Sequence, residues 1–540
     1  MTTTPPDIPI STVFVPDLLY VGGRFERGRV LVSDADGRVV ATPRLEIPDG
    51  LDVGANFFVE TEAGTEGRPA VGIRVGRVVR LKGRALLPGM VNAHSHAFQR
   101  VIRGRTEYRG TQASDSFWTW REMMYAAAAR LTPDDIYDAS RMAFLEMALS
   151  GITSVGEFHY LHRTPEGFEY DDPNLLAKEV VRAARDVGVR IALLRVAYAR
   201  AGYLKEPDPR QLRFIEPDSD IFLRHTDALA REVGLPKPRG DALREESGKD
   251  SPVPGAWVGV APHSVRAVPI DYILRVSRYA RERGMPVHMH VSEQPAEVEA
   301  CLEETGCTPP CLLGSEGVMG PNFTAVHAVH LKGNPWADHQ YLKRAGATVC
   351  ACPTTERNLG DGVVPADLLF EQGIPVALGT DSHAQIDLLE DARELEYHLR
   401  LTSLRRNVLA PDTAVGVDHN GRAEGRHEGA SADGSSGMSA LAARLFECAT
   451  LSGARSIGAY AGSFEPGRAA DFFTVDLDDP SVAGASAEDL LPAVVFSLSR
   501  AAVRETAVGG GLVVGSGRHA AQDEIVSRFA ALQRRLWGAS

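Results

Sequence analysis

Between residues 86 and 379, short and almost wholly apolar runs alternate with longer stretches in which apolar residues recur every three or four positions. Eight such runs stand out: Leu86–Ala93, Ile152–Phe158, Arg190–Ala197, Trp257–Ala261, Pro286–Val291, Thr324–His330, Thr348–Cys352 and Pro375–Gly379. Continuous apolarity over so few residues fits strands buried on both faces. The spacing in Asp134–Ser150, Leu176–Gly188, Tyr272–Gly284 and Trp336–Ala345 fits helices with one apolar face. Eight β–α alternations predict an α/β fold, a (β/α)8 barrel of the TIM type around a parallel inner sheet.

The two ends of the chain read differently. Val13-Phe14-Val15, Arg29–Val32, Phe57-Phe58-Val59 and Arg77–Leu81 are short strand-like segments punctuated by Gly and Asp. The same texture returns in Asp471–Val475 and Val503–Val514. Gly509-Gly510-Gly511 there suits a hairpin turn and lacks the strand-turn-helix setting of a nucleotide-binding loop. The expected organisation is a small β-sandwich assembled from residues 1–85 and 446–540, the latter with a terminal helix, around a barrel of residues 86–445. Residues 200–255, rich in Pro, Asp, Arg and Lys, read as a long loop with local helix near the barrel mouth. Residues 411–438 are low in complexity and read as disordered.

Composition narrows the function. An apolar content of 44% in 540 residues supports a large core, and a net charge of −13 argues against a nucleic-acid partner. Six cysteines are too few for a disulfide scaffold. Cys301, Cys307 and Cys311 lack the paired spacing of a structural zinc site, and Cys350 and Cys352 read as buried thiols. The first residues lack a signal peptide's basic and apolar regions, and no apolar run approaches the ~20 residues that span a bilayer. A cytoplasmic enzyme with a small-molecule partner is the expectation.

The polar residues at the strand ends supply the chemistry. His94 and His96 are two apart, so a strand presents both on one face. His288 and His290 share a face in the same way, with Glu293 just beyond on the connecting loop. His327 and His330 end the sixth run, and Asp381 follows the eighth. Three imidazoles and a carboxylate make a nitrogen- and oxygen-rich site suited to Zn2+. A carboxylate such as Glu293 next to it can take a proton from the attacking water and pass it to a leaving nitrogen.

At this point the chain resembles the amidohydrolase superfamily, in its mononuclear deaminase branch, and most closely the formimidoylglutamate deiminases within it. The resemblance rests on Val91–Arg100, Asp115–Tyr125, Gly156–His162, Cys352–Gly362 and Asp381-Ser382-His383, and spans roughly residues 80–400. The Ser116-Phe117-Trp118-Thr119-Trp120-Arg121 segment is far more specific than the metal ligands. The resemblance implies one zinc ion per subunit on His94, His96, His290 and Asp381. It selects His290 over His288 by the spacing to Glu293, with Glu293, His327 and Asp381 as catalytic groups. Gln99, Arg121, Tyr160, His263 and Arg266 are then the implied contacts to a dicarboxylate substrate, N-formimino-L-glutamate, in histidine breakdown. Binuclear relatives use a lysine at the end of the fourth strand, and Trp257–Val268 contains none. A homodimer is implied as well. N-formimino-L-aspartate and purine-type rings are the competing substrates, and the insertions at 200–255 and 411–438 exceed the family pattern.

Overall fold

Eight parallel strands stand where the apolar runs predict them. They are Met90–Ser95, Ile152–His159, Arg190–Ala197, Ala256–Pro262, Val287–Val291, Phe323–His327, Thr348–Ala351 and Val376–Leu378, hydrogen-bonded in chain order. The computed structural model from which this architecture is read describes residues 10–45, 56–59, 71–108, 116–236, 255–411 and 439–538. The sheet closes into a barrel through a parallel bridge between Ser95 and Asp381. Across that seam Asp381 N–H donates to the His94 carbonyl at 3.0 Å, and His96 N–H donates to the Asp381 carbonyl at 3.0 Å.

Local chemistry explains the helices around the strands. Pro133–Leu149 starts at Thr132, whose hydroxyl accepts from Asp135 N–H while the Asp135 carboxylate accepts from Thr132 N–H, and Pro133 preorganises the first turn. Leu175–Val187 ends at Gly188, whose φ of 89° few other residues would tolerate. The helices predicted at Tyr272–Gly284 and Trp336–Ala345 appear as Ile270–Glu282 and Asp338–Ala345.

Five of the strands are shorter than their apolar runs, and in two of them, the first and the sixth, the cause is plain in the backbone. Leu86–Pro88 ends a long strand of another sheet, Val71–Pro88, and the barrel strand begins only at Met90. The chain changes partners between them: Gly89 N–H donates to the Asp471 carbonyl at 2.9 Å and Met90 N–H to the Gly151 carbonyl at 3.0 Å. A side chain at Gly89 would meet Thr153 Oγ1 at 2.4 Å, so only glycine passes this point. The sixth run stops at His327, because His327 and Ala328 take φ of 71° and 53° and turn out of the sheet.

Both chain ends enter one mixed sheet of ten strands. Ile10–Val21 pairs parallel with Val71–Pro88, and Phe472–Asp476 pairs antiparallel with the end of the same strand. The glycine-rich turn lies where expected, with Gly509 and Gly510 at φ of 57° and 74° between antiparallel strands Val503–Val508 and Gly511–Gly515. The last helix, Gln522–Trp537, reaches back to the barrel helix Pro133–Leu149, where Arg528 bonds Asp138 at 2.7 Å.

Within the 200–255 segment, helix Ser219–Val233 is capped by Asp218, which accepts from Asp220 N–H at 2.7 Å. Residues 237–254 lie outside the described residues, as does the low-complexity stretch beyond Pro411. The loop ahead of that helix folds over the barrel mouth. Its Glu216 is gripped by the fully buried Arg195 through two bonds of 2.5 and 3.1 Å. Among the described residues no helix is long and apolar enough to cross a membrane.

Candidate metal centre and active site

The donor atoms of His94, His96, His290 and Asp381 all lie within 4.8 Å of one another, in a buried cluster at the barrel mouth. Asp381 Oδ1 is 3.2 Å from His94 Nε2 and 3.1 Å from His96 Nε2. His290 Nε2 is 3.2 Å from His94 Nε2. His96 Nδ1 lies 2.9 Å from the Phe158 carbonyl, which can only accept, so Nδ1 carries the proton. Its Nε2 then turns a lone pair toward the Asp381 carboxylate, an arrangement that is repulsive unless a cation lies between. The set therefore fits a metal ion. Burial pushes His94 down to about 3 and His290 well below its usual range, which keeps both imidazoles in the neutral form that ligation needs. His288, by contrast, bonds the Ser456 carbonyl at 3.0 Å, outside the cluster.

Backbone strain concentrates here. Ser292, His327 and Asp381, each at a strand end, have φ of 54°, 71° and 42°. Non-glycine residues pay about 1–3 kcal/mol each for this, a cost that persists only where the surroundings fix the site.

Glu293 and His327 form a pair beside the cluster, with Glu293 Oε1 3.6 Å from His327 Nε2. On its other side His327 Nδ1 lies 3.3 Å from Glu356 Oε1. Burial opposes a charge on His327, but Glu293, Glu356 and Asp381 outweigh it and hold the imidazole well above its ordinary pKa. Burial raises the Glu293 carboxyl above its usual value, partly offset by His327. His330 is not part of this pair and bonds the Asp361 carbonyl at 2.8 Å.

One pocket joins these groups to Gln99, Arg121, Tyr160, His263 and Arg266. Helix Phe117–Ala128 forms one wall with Phe117, Trp120, Arg121, Met124 and Tyr125, spaced to share a helix face. Arg121 packs its guanidinium 4.5 Å from the Trp118 ring centre, and its Nε is buried without a hydrogen-bond partner. Arg266 Nη1 is likewise buried and unpartnered. Among the described residues neither guanidinium forms an ion pair. Gln99 Nε2 donates to Tyr160 Oη at 2.7 Å, leaving Gln99 Oε1 buried as a free acceptor. The His263 ring stands 4.7 Å from those of His290 and Tyr198.

Comparison with known proteins decides the family. The model of the Amidohydrolase family matches residues 85–513. The chain belongs to the amidohydrolase family. It is thereby a hydrolase acting on C–N bonds. It is 34% identical over 455 residues to a formimidoylglutamate deiminase of Pseudomonas aeruginosa, covering 84% of this chain and 90% of the relative. A 5-methylthioadenosine/S-adenosylhomocysteine deaminase of Natronomonas pharaonis is 25% identical over 484 residues, covering 88% of this chain and 91% of the relative. Among solved structures, an amidohydrolase from Brucella melitensis superposes with a TM-score of 0.77 at 28% identity, covering 97% of this chain and 99% of the other.

This amidohydrolase site also uses residues that sequence reasoning did not assign. Glu157, in the second barrel strand, accepts from Ser95 Oγ at 2.5 Å and from Ala97 N–H at 2.6 Å, bracketing His96. Burial pushes its carboxyl up to about 7 against those two bonds. His383 holds the other side of Ser95, at 3.1 Å, and Thr380 Oγ1 at 3.0 Å. Glu356 orients His327, and Tyr198 and Phe214 wall the pocket. A charged residue inside an apolar strand run was the available signal for Glu157. Tyr198 and Phe214 carried none.

Proposed function

We propose that this amidohydrolase hydrolyses N-formimino-L-glutamate to N-formyl-L-glutamate and ammonia, with Zn2+ on His94, His96, His290 and Asp381. The observation that carries the reading is a pair of half-buried arginines, Arg121 and Arg266, each with a buried and unpartnered guanidinium nitrogen, which line the pocket with no carboxylate of the described residues bound to either. A buried cation without a partner is costly, and a dicarboxylate substrate offsets that cost at both arginines. Planar guanidinium groups match carboxylates through paired hydrogen bonds. The Pseudomonas relative's activity agrees with this substrate. In this reading the enzyme serves histidine breakdown in the cytoplasm.

Three imidazoles and one carboxylate suit zinc, which when bound would acidify the attacking water and polarise the C=N bond. Glu293 accepts a proton from that water and returns one to the departing nitrogen. The balance is R–NH–CH=NH plus water to R–NH–CHO plus ammonia. His327, charged between Glu293 and Glu356, steadies the negative charge that grows on the attacking oxygen. Gln99 Oε1 accepts a hydrogen bond from substrate N–H, and Tyr160 fixes the Gln99 amide for that task.

The aromatic wall and the 25% identical nucleoside deaminase favour a second reading, removal of an amino group from a purine-type ring. Such a ring carries no carboxylate to pair with either arginine. N-formimino-L-aspartate differs by one methylene, which is worth about 1–3 kcal/mol of discrimination. Ammonia release by the zinc-loaded protein from the glutamate compound, the aspartate compound and 5-methylthioadenosine tests all three. Turnover of the glutamate compound above the others supports the proposal; turnover of the nucleoside alone overturns it.

A further inference from the structure

Beside Glu293 and His327 lies a further acidic group that the reaction does not use. Asp361 sits in the turn after helix Pro353–Leu359 and is 3% exposed. Gln294 Nε2 donates to its Oδ1, but its Oδ2 is buried with no hydrogen-bond partner. One carboxylate oxygen each from Glu293 and Asp361 and one ring nitrogen of His327 lie within 4.8 Å of one another. With Nδ1 turned to Glu356 at 3.3 Å, His327 presents Nε2 to Glu293 at 3.6 Å.

We propose that Glu293, His327 and Asp361 form a second cation site, separate from the His94–His96–His290–Asp381 centre, which takes zinc when free zinc is in excess and so inhibits the enzyme. Two carboxylates and an imidazole are an ordinary donor set for this ion, which on entering takes the place of the proton that His327 carries between Glu293 and Glu356 and releases it to solvent. Three features favour occupation. The partnerless Asp361 oxygen gains a ligand, and the excess of buried carboxylates around one imidazole is neutralised. Two of the side chains are also already held, Asp361 by Gln294 and His327 by Glu356, and the backbone at Glu293 is fixed by its N–H donating to Glu297 at 3.0 Å. Repulsion from an ion in the first centre, next door through the stacked rings of His290 and His327 at 5.5 Å, makes the second site the weaker one. Occupation withdraws Glu293 and His327 from proton transfer. That inhibitory consequence rests on the role proposed above for Glu293; the site itself does not.

Equilibrium dialysis against rising free zinc, with metal per chain counted by mass spectrometry, tests the site without any substrate. The unsubstituted protein is expected to take up a second zinc after the first. Asp361→Asn should keep the first zinc and bind the second at least about tenfold more weakly, the scale of loss expected when a ligand or its support is removed. Glu293→Gln provides a second variant should Asp361→Asn fail to fold, and it too should stop at one zinc. Ammonia release, followed in parallel, should fall as the second zinc enters and should resist zinc in Asp361→Asn, whose basal turnover stays close to that of the unsubstituted enzyme. Uptake of a second zinc by both variants as readily as by the unsubstituted protein, or by none of the three, overturns the site. Two-zinc binding lost in both variants, without inhibition, would keep the site and sink the role given to Glu293.

Discussion

Replacing Arg121 by Met removes one guanidinium from the pocket while keeping a side chain long enough to lie along Trp118. The structure supplies the magnitude. Arg121 Nε is buried and unpartnered, so a substrate carboxylate bound there exchanges little of its interaction with water. Truncating one partner of a buried, hydrogen-bonded charge pair costs about 2–5 kcal/mol. At about 1.4 kcal/mol per factor of ten, kcat/KM for N-formimino-L-glutamate should fall about 30- to 4,000-fold. The fold should not suffer. Burial, and then Arg266, lower the Arg121 pKa, which means that its charge opposes folding, so Arg121→Met should melt no lower than the unsubstituted protein. Ammonia release with two truncated substrates completes the assay, N-formimino-L-norvaline lacking the side-chain carboxylate and N-formimino-4-aminobutyrate lacking the α-carboxylate. The penalty should vanish for the analogue without the carboxylate that Arg121 holds and persist for the other, and Arg266→Met should show the mirror pattern. A fall of less than about tenfold with full metal content, or equal penalties on both analogues, would refute the two-arginine grip.

The pH profile of kcat/KM should be bell-shaped. Glu293 acts as a base and its carboxyl is raised by burial, so the acid limb falls above pH 4.5, the ordinary glutamate value. His327 acts charged and is held well above 6.5, so activity is lost only as pH rises past that value, and His327→Gln should abolish the alkaline limb. Tyr198 is 3% exposed, and its hydroxyl has no hydrogen-bond partner among the described residues. Tyr198→Phe should raise KM for the glutamate compound about tenfold with kcat little changed, the worth of one hydrogen bond to a charged group. Removing the metal with a chelator should abolish turnover and lower Tm, since His94, His96, His290 and Asp381 then face one another without a cation, and added zinc should restore both.

The barrel was legible because its strands are buried on both faces and therefore appear as unbroken apolar runs, and the ligands were legible because they sit at the ends of those runs. What escaped the sequence depended on distant partners. Leu86–Pro88 looks like the start of a barrel strand, yet the register is decided by Asp471 on one side and Gly151 on the other. The loop before helix Ser219–Val233 reads correctly as lying near the barrel mouth, but only the fold shows that Glu216 carries it inward onto Arg195 and thereby brings Phe214 over the site. Glu157 is a charge in an apolar strand, and only the fold shows that it grips Ser95 and the Ala97 amide. Local pattern gives the elements; burial of a charge against a remote partner does not announce itself locally.

The position of the metal cluster follows from how the barrel closes. Seven of the eight strand contacts run between neighbours in sequence, six of them through three or more register pairs and the fourth-to-fifth through Val260 and Val287, whereas the eighth joins the first strand to the last through the Ser95–Asp381 bridge. The seam is reinforced by side chains: Asn92 and Thr380 exchange hydrogen bonds of 2.7 and 3.0 Å across it. His94, His96 and Asp381 belong to the same seam, so an ion bound by them ties together the two chain segments that are farthest apart in the barrel sequence. The left-handed backbone at Asp381, unfavourable in isolation, turns its carboxylate toward the imidazoles while its amide and carbonyl close the barrel. Ligand geometry and barrel closure are thus carried by the same three residues, and a change that loosens either one loosens both.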